Sequence, residues 1–154
     1  MVVAVVVVLI VIVGLVATHP MMRKREDAAI KKLKDHLGAG AVQVIEPRTT
    51  AMGTEPDDGS GLRGMVCLGL SDAELMAVAW VRGGEWRIPR ASVTSVDTPA
   101  EDPSETPRAT VVVGYTRADG EEMTAMFRVR DAPEWLTALG YDWGPDGPPP
   151  AYDD

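Results

Sequence analysis

Glu121-Glu-Met-Thr-Ala-Met-Phe-Arg-Val-Arg-Asp-Ala-Pro-Glu-Trp-Leu-Thr-Ala-Leu-Gly140 decides how the folded part of this chain is built. Met123, Ala125, Phe127 and Val129 alternate with Thr124, Met126, Arg128 and Arg130, the period of a strand with one face on a core and the other partly wet. The pattern then changes abruptly. Asp131 offers an N-cap acceptor, Pro133 suits a first helical turn and Glu134 stands at the third position, so a helix starts here. Trp135, Leu136 and Leu139 share one face of it before Gly140 closes it, and that face suits covering the open end of a sheet.

Working back along the chain, six further strands are expected from alternation or β-branched runs bounded by turn residues. They are Ala41 to Glu46, Arg63 to Leu70, Glu74 to Arg82, Glu85 to Ile88, Ser92 to Asp97 and Ala109 to Arg117, with the seventh from Glu121 to Arg130. Gly83-Gly84 and Asp119-Gly120 are hairpin signals, because glycine reaches the positive φ that tight turns need. Glu55 to Gly61 and Thr98 to Pro107 are expected to be solvated loops. The tail after Trp143, Gly-Pro-Asp-Gly-Pro-Pro-Pro-Ala-Tyr-Asp-Asp, has little to bury and is expected to be disordered over 144–154. It contains a Pro-Pro-x-Tyr string at Pro149 to Tyr152, read as tail chemistry.

The other end of the chain has a different character. Met1 to Ala17 holds no charged or polar side chain and includes nine valines. A helix over 1–22 reaches roughly 33 Å, enough to cross a bilayer once, and a lone lipid-exposed segment must be helical to satisfy its own backbone. Val2, Leu9, Ile12 and Leu15 are expected to face lipid as the anchor. Arg23, Lys24 and Arg25 follow, with Lys31, Lys32 and Lys34 close behind, so the positive-inside rule puts the C-terminal part in the cytoplasm. A cleavable signal peptide would carry its basic residues before the apolar run and a small-x-small site after it, unlike this segment. Over 23–40 a basic amphipathic juxtamembrane helix is expected, with Ile30, Leu33 and Leu37 on one stripe and Gly38-Ala39-Gly40 ending it. Three apolar residues leave open whether it lies on the membrane or packs on the domain.

Charge divides the chain the same way. From Thr18 to Leu37 the net charge is +3, whereas from Gly38 onward nine arginines, no lysine and twenty carboxylates give −11. A broadly acidic domain argues against nucleic acid as a partner. About 100 residues form one small domain with one core, here 41–143. The absence of asparagine, and of lysine after Lys34, is a composition typical of GC-rich bacteria.

Chemical motifs are sparse. His19 and His36 are the only imidazoles, neither at metal-ligand spacing, and Cys67 stands alone as a small hydrophobe. No nucleophile-elbow or phosphate-loop spacing occurs, so no catalysis, metal or cofactor is expected. The four tryptophans could line a peptide groove between a sheet edge and the C-terminal helix, but Trp80 and Trp135 are in phase with core residues. Trp143, Arg128 and Arg130 remain as candidate partner-binding residues.

Seven antiparallel strands closed by a C-terminal amphipathic helix resemble the pleckstrin-homology-like (PH-like) fold, a sandwich or barrel. Gly64-Met-Val-Cys-Leu-Gly-Leu-Ser-Asp-Ala-Glu-Leu-Met76, Trp86-Arg-Ile-Pro-Arg-Ala-Ser-Val-Thr-Ser-Val96 and Phe127-Arg-Val-Arg-Asp-Ala-Pro-Glu-Trp-Leu136 are similar to bacterial membrane-anchored PH-like or GRAM-like proteins. The resemblance covers Ala41 to Leu139 and departs at Met76 to Trp80, where Ala77-x-Ala79 replaces an expected phenylalanine. It implies headgroup binding by basic residues near the first hairpin loop. That loop is Glu55-Pro-Asp-Asp58, which repels anions. The expectation is therefore a single-pass cell-membrane protein whose cytoplasmic PH-like domain is a non-catalytic interaction or regulatory module with a protein partner. Alternatives are a small-ligand or lipid-binding domain with a pocket beneath the C-terminal helix, and a secreted or enzymatic protein.

Overall fold

The computed structural model describes residues 2–37, 42–56, 62–81, 83–102, 104 and 106–148, with side chains from Pro20 onward, except that of Asp146. Helix α1 (Val2–Leu37) precedes strands β1 (Val42–Glu55), β2 (Gly64–Ser71), β3 (Glu74–Ala79), β4 (Glu85–Pro89), β5 (Val93–Asp97), β6 (Thr110–Thr116) and β7 (Glu122–Arg128). Helix α2 (Ala132–Leu139) follows β7. The strands form one seven-stranded antiparallel sheet in the order β4-β3-β2-β1-β7-β6-β5.

β1 joins the two halves of this sheet. Its first part pairs with β2, from Val42 opposite Ser71 to Ala51 opposite Gly64, and its last part with β7, from Thr50 opposite Arg128 to Glu55 opposite Thr124. The sequence expectation ends this strand at Glu46. Pro47 instead sits within a register shift between Glu46 and Thr49, where a missing N–H is tolerated, and β1 runs on. A second shift between Ala51 and Gly53 uses Gly53 at φ 117°, a conformation that side chains avoid. At its other end, β3 stops at Ala79 rather than Arg82, since Trp80 and Val81 already turn toward β4 and the Ala79 N–H donates to the Gly84 carbonyl at 2.8 Å.

One apolar cluster draws on both halves of the sheet and on α2. Leu68, Leu70, Leu75, Ile88, Val111, Val113, Ala125 and Phe127 meet Trp135, Leu136 and Leu139 there. Trp86 packs edge-on to Tyr115 and tilted on Phe127, with centroids 5.7 and 5.5 Å apart. α2 is capped as its sequence predicts: the Asp131 carboxylate accepts from the Glu134 N–H at 3.0 Å, and Gly140 closes the helix at φ 87°.

A second cluster lies on the opposite face of β2 and β3. Ala29, Leu33 and Leu37 of α1 pack on Cys67, Met76, Val78 and Trp80, with Ile30 and Ile45 at the rim. The stripe of Ile30, Leu33 and Leu37 therefore packs on the domain. Gly69 permits it, because a Cβ there would come within 2.5 Å of Leu33 and 2.6 Å of Leu37. The segments expected over 1–22 and 23–40 are parts of one helix, α1, with Pro20 inside it. The side chains of Val2, Leu9, Ile12 and Leu15 lie outside the described residues, as do Gly38 to Ala41, Asp57 to Gly61 and Pro149 to Asp154. Among the described residues no helix is long and apolar enough to cross a membrane.

Candidate functional site

Two polar devices lock α1 and α2 to the sheet. On one side of the α1 stripe, Lys32 Nζ reaches Glu85 at 2.8 Å and the Gly83 carbonyl at 2.7 Å. On the other, Arg48 grips Glu26 through Nε and Nη2, the shortest contact being 2.9 Å. The Lys32 ammonium, followed by burial that opposes it and by Arg87, leaves the Glu85 carboxyl below its ordinary value. His36 Nδ1 lies 2.7 Å from the Lys32 carbonyl, a contact within the helix.

Beneath α2, Glu46 is a buried carboxylate, 7% exposed. It accepts from the Trp135 indole N–H at 3.0 Å and from the Arg130 backbone N–H at 3.0 and 3.1 Å. Burial pushes its carboxyl above the usual range, and the Arg130 N–H and the Trp135 indole pull it back in part. Glu46 thus ties β1 to the β7–α2 junction. It shares the strand phase of Val44, which points it inward and is the signal that finds it in the sequence.

The three candidate partner-binding residues are not brought together. Arg128 ends β7 and Arg130 follows it, both exposed before α2, whereas Trp143 lies beyond the C-terminal end of this eight-residue helix, about 12 Å further on. Trp143 is half-buried, donates to Thr137 Oγ1 at 3.1 Å and packs edge-on to Tyr141 with centroids 5.0 Å apart. Trp80, Trp86 and Trp135 are buried, so they do not line an open groove, and the Trp80 indole donates to the Pro47 carbonyl at 3.1 Å. Arg23, Lys24 and Arg25 are exposed on α1, one to two turns before its docked part.

No family model matches the chain, and no curated protein matches it.

Elsewhere the chemistry is that of packing. Cys67 lies fully buried under α1, and burial pushes its thiol up to about 12, where it is no nucleophile. Among the described residues no group of three or more His, Cys, Asp or Glu side chains is arranged to hold a metal ion. The arginines divide by place. Arg48, Arg87 and Arg117 are ion-paired, and Arg90 donates to the Ala138 carbonyl at the end of α2. Arg63, Arg108 and Arg128 have no ion pair among the described residues, and all three lie where β2 and β6 begin and β7 ends.

Around those arginines, among the described residues, no helix covers the outer face of β1, β7 and β6, where Thr50 and Arg128 are exposed and Thr110, Val112 and Met126 half-buried. Met65, Thr50, Arg128 and Thr110 form one cross-strand row, and Gly53, Met126 and Val112 a second, with Met52 in the register shift beside Gly53. Met65 is 39% and Met52 46% exposed. Their sulfurs rest 3.9 Å from Thr50 Oγ1 and 3.8 Å from Thr110 Oγ1. Arg63 lies across Gly53, its Nε 2.9 Å from where a Cβ would stand, so the bulge glycine gives the guanidinium its seat on this face.

Proposed function

We propose that this chain is a non-catalytic, membrane-tethered interaction or regulatory module: a single-pass anchor with its N-terminus outside, and a cytoplasmic PH-like domain that engages a protein partner. The observation that carries this reading is α1 itself, which continues the apolar N-terminal run unbroken into a segment seated on the sheet by Ala29, Leu33 and Leu37. A tether docked in this way is part of the domain's architecture and holds the domain close to the bilayer. The basic residues of Arg23 to Arg25, on the domain side of the run, support the cytoplasmic orientation. The order β4-β3-β2-β1-β7-β6-β5 with a helix after β7 supports the PH-like assignment. A protein partner is favoured over a ligand beneath α2, because Trp135, Leu136 and Leu139 fill that space.

The test is recovery of the full-length protein from native membranes. It is expected to resist extraction at high pH, to expose its domain to protease only from the cytoplasmic side, and to bring down a specific protein. That protein should be lost from the Arg128→Glu/Arg130→Glu variant or from Trp143→Ala. Extraction into the soluble fraction would overturn the anchor, and co-purification of lipid alone would overturn the interaction module.

A further inference from the structure

The bare outer face is unusual for its chemistry as well as its exposure. A domain segment of net charge −11 has carboxylates enough to pair every arginine, and it does so on the far hairpin with Arg117, Asp119 and Glu121 and across β3 and β4 with Arg87, Glu74 and Glu85. Around Met52, Met65 and Met126 it leaves Arg63, Arg108 and Arg128 without ion pairs among the described residues. Beyond the end of β7 the ladder continues, since the Val129 N–H donates to the Ala109 carbonyl at 3.0 Å, so Arg108 and Arg130 flank the same corner. Methionines adapt to an irregular apolar partner, and guanidinium groups accept carboxylates in bidentate geometry.

These strands lie inside the sheet, so an occupant must lie across their face and cannot add to an edge. The other half of the molecule shows how such a face is filled: an amphipathic helix lays leucines on β2 while ion pairs grip it from both sides. α1 of a second copy is unsuited to the bare face, because its exposed side carries Lys24, Arg25, Lys31 and Lys34 and would meet arginines.

We propose that the outer face of β1, β7 and β6, centred on Met52, Met65 and Met126 and rimmed by Arg63, Arg108 and Arg128, is the docking surface for an acidic amphipathic helix of a protein partner. This rests on the interaction-module reading and gives it a surface and a partner chemistry.

The test uses the full chain in nanodiscs of neutral phosphatidylcholine and a fluorescent peptide with leucine on one helical face and glutamate on the other. Saturable, salt-sensitive binding is expected. It should weaken about tenfold or more in Arg63→Glu/Arg128→Glu and in Met52→Asp/Met65→Asp. Arg117→Glu, on the far hairpin, should bind as the parent does. All these positions are exposed, so the variants should keep the parent's thermal transition, which is read alongside. Binding that survives both double variants would overturn this surface while leaving an interaction module that works elsewhere. Failure of the peptide to bind would overturn it too, as would arginine-dependent binding of phosphatidylglycerol vesicles in the peptide's place. The module itself is judged separately, by the recovery from native membranes.

Discussion

β2 and β7 lie on either side of β1, yet they live in different surroundings. From Val66 to Ser71 β2 is buried at every position, with α2 and the core on one side and α1 on the other, whereas β7 alternates buried and wetter residues from Glu122 to Arg128. The difference is written in their residues. Val-Cys-Leu-Gly-Leu has no polar side chain to turn outward, while Met-Thr-Ala-Met-Phe-Arg has one at nearly every second position. A strand buried on both faces needs a second covering layer, and one that alternates does not. The contrast teaches that in this small domain the layers are specified strand by strand.

The strongest way to break the contrast is to strip the cover from β2. Leu33 is fully buried between α1 and the sheet, so Leu33→Asp is expected to destabilise the protein by about 3–5 kcal/mol in chemical denaturation and to make Cys67 accessible to thiol reagents. If the denaturation midpoint stays put and Cys67 remains protected, α1 is not held by this stripe.

A smaller effect is expected at Glu46, which serves the junction between β7 and α2. Glu46→Ala leaves the Trp135 indole and the Arg130 N–H without their acceptor, a loss of about 2–4 kcal/mol. Its pH dependence has a definite sign. Burial raises the folded carboxyl above its unfolded value, so the folded state binds the proton more tightly. Stability attributable to Glu46 therefore falls as pH rises from the ordinary carboxylate range through the raised value, and Glu46→Gln should flatten that part of the profile. Glu85, held low by Lys32, has the opposite sign: its contribution is present above the ordinary value and is lost on acidification. An unchanged slope in Glu46→Gln would remove the carboxylate from this account.

The smallest change sharpens the comparison. Gly69→Ala adds one methyl between β2 and the two leucines of α1, and about 1–3 kcal/mol of overpacking is expected from thermal unfolding. Since the nearest atoms to this position belong to Leu33 and Leu37 of α1, Leu33→Ala in the same chain should recover part of the loss. No recovery would place the strain in the strand backbone.

Much of the fold was legible because periodicity and turn chemistry are local. All seven strands begin within one residue of their expected starts, and the Asp131 and Gly140 caps bound α2 as the residues imply. Two features were not legible from such patterns. β1 passes Pro47 because a register shift absorbs the missing donor, and that depends on β2 and β7 across from it. The docking of α1 is not legible in α1 alone, because a three-residue stripe has the same form for a membrane or a sheet. The deciding signal was the unbroken apolar run of β2, remote in sequence. At the candidate surface, sequence reasoning named Arg128 and Arg130 for exposure on one strand face. It did not join them to Arg63, Met52 and Met65, which only the pairing of β1 with both β2 and β7 brings alongside.

The unbroken path of α1 also makes it an axle. Each residue of a helix turns its successor by about 100°, so the phase between the basic cluster at Arg23 and the docked leucines fixes the compass bearing of the whole domain about that axle. A single residue added between Arg25 and Glu26 would swing the arginine-rimmed face by more than a quarter turn, while four would restore its bearing to within about 40° and lift it by about 6 Å. The length of this helix is thus a statement of direction as much as of distance.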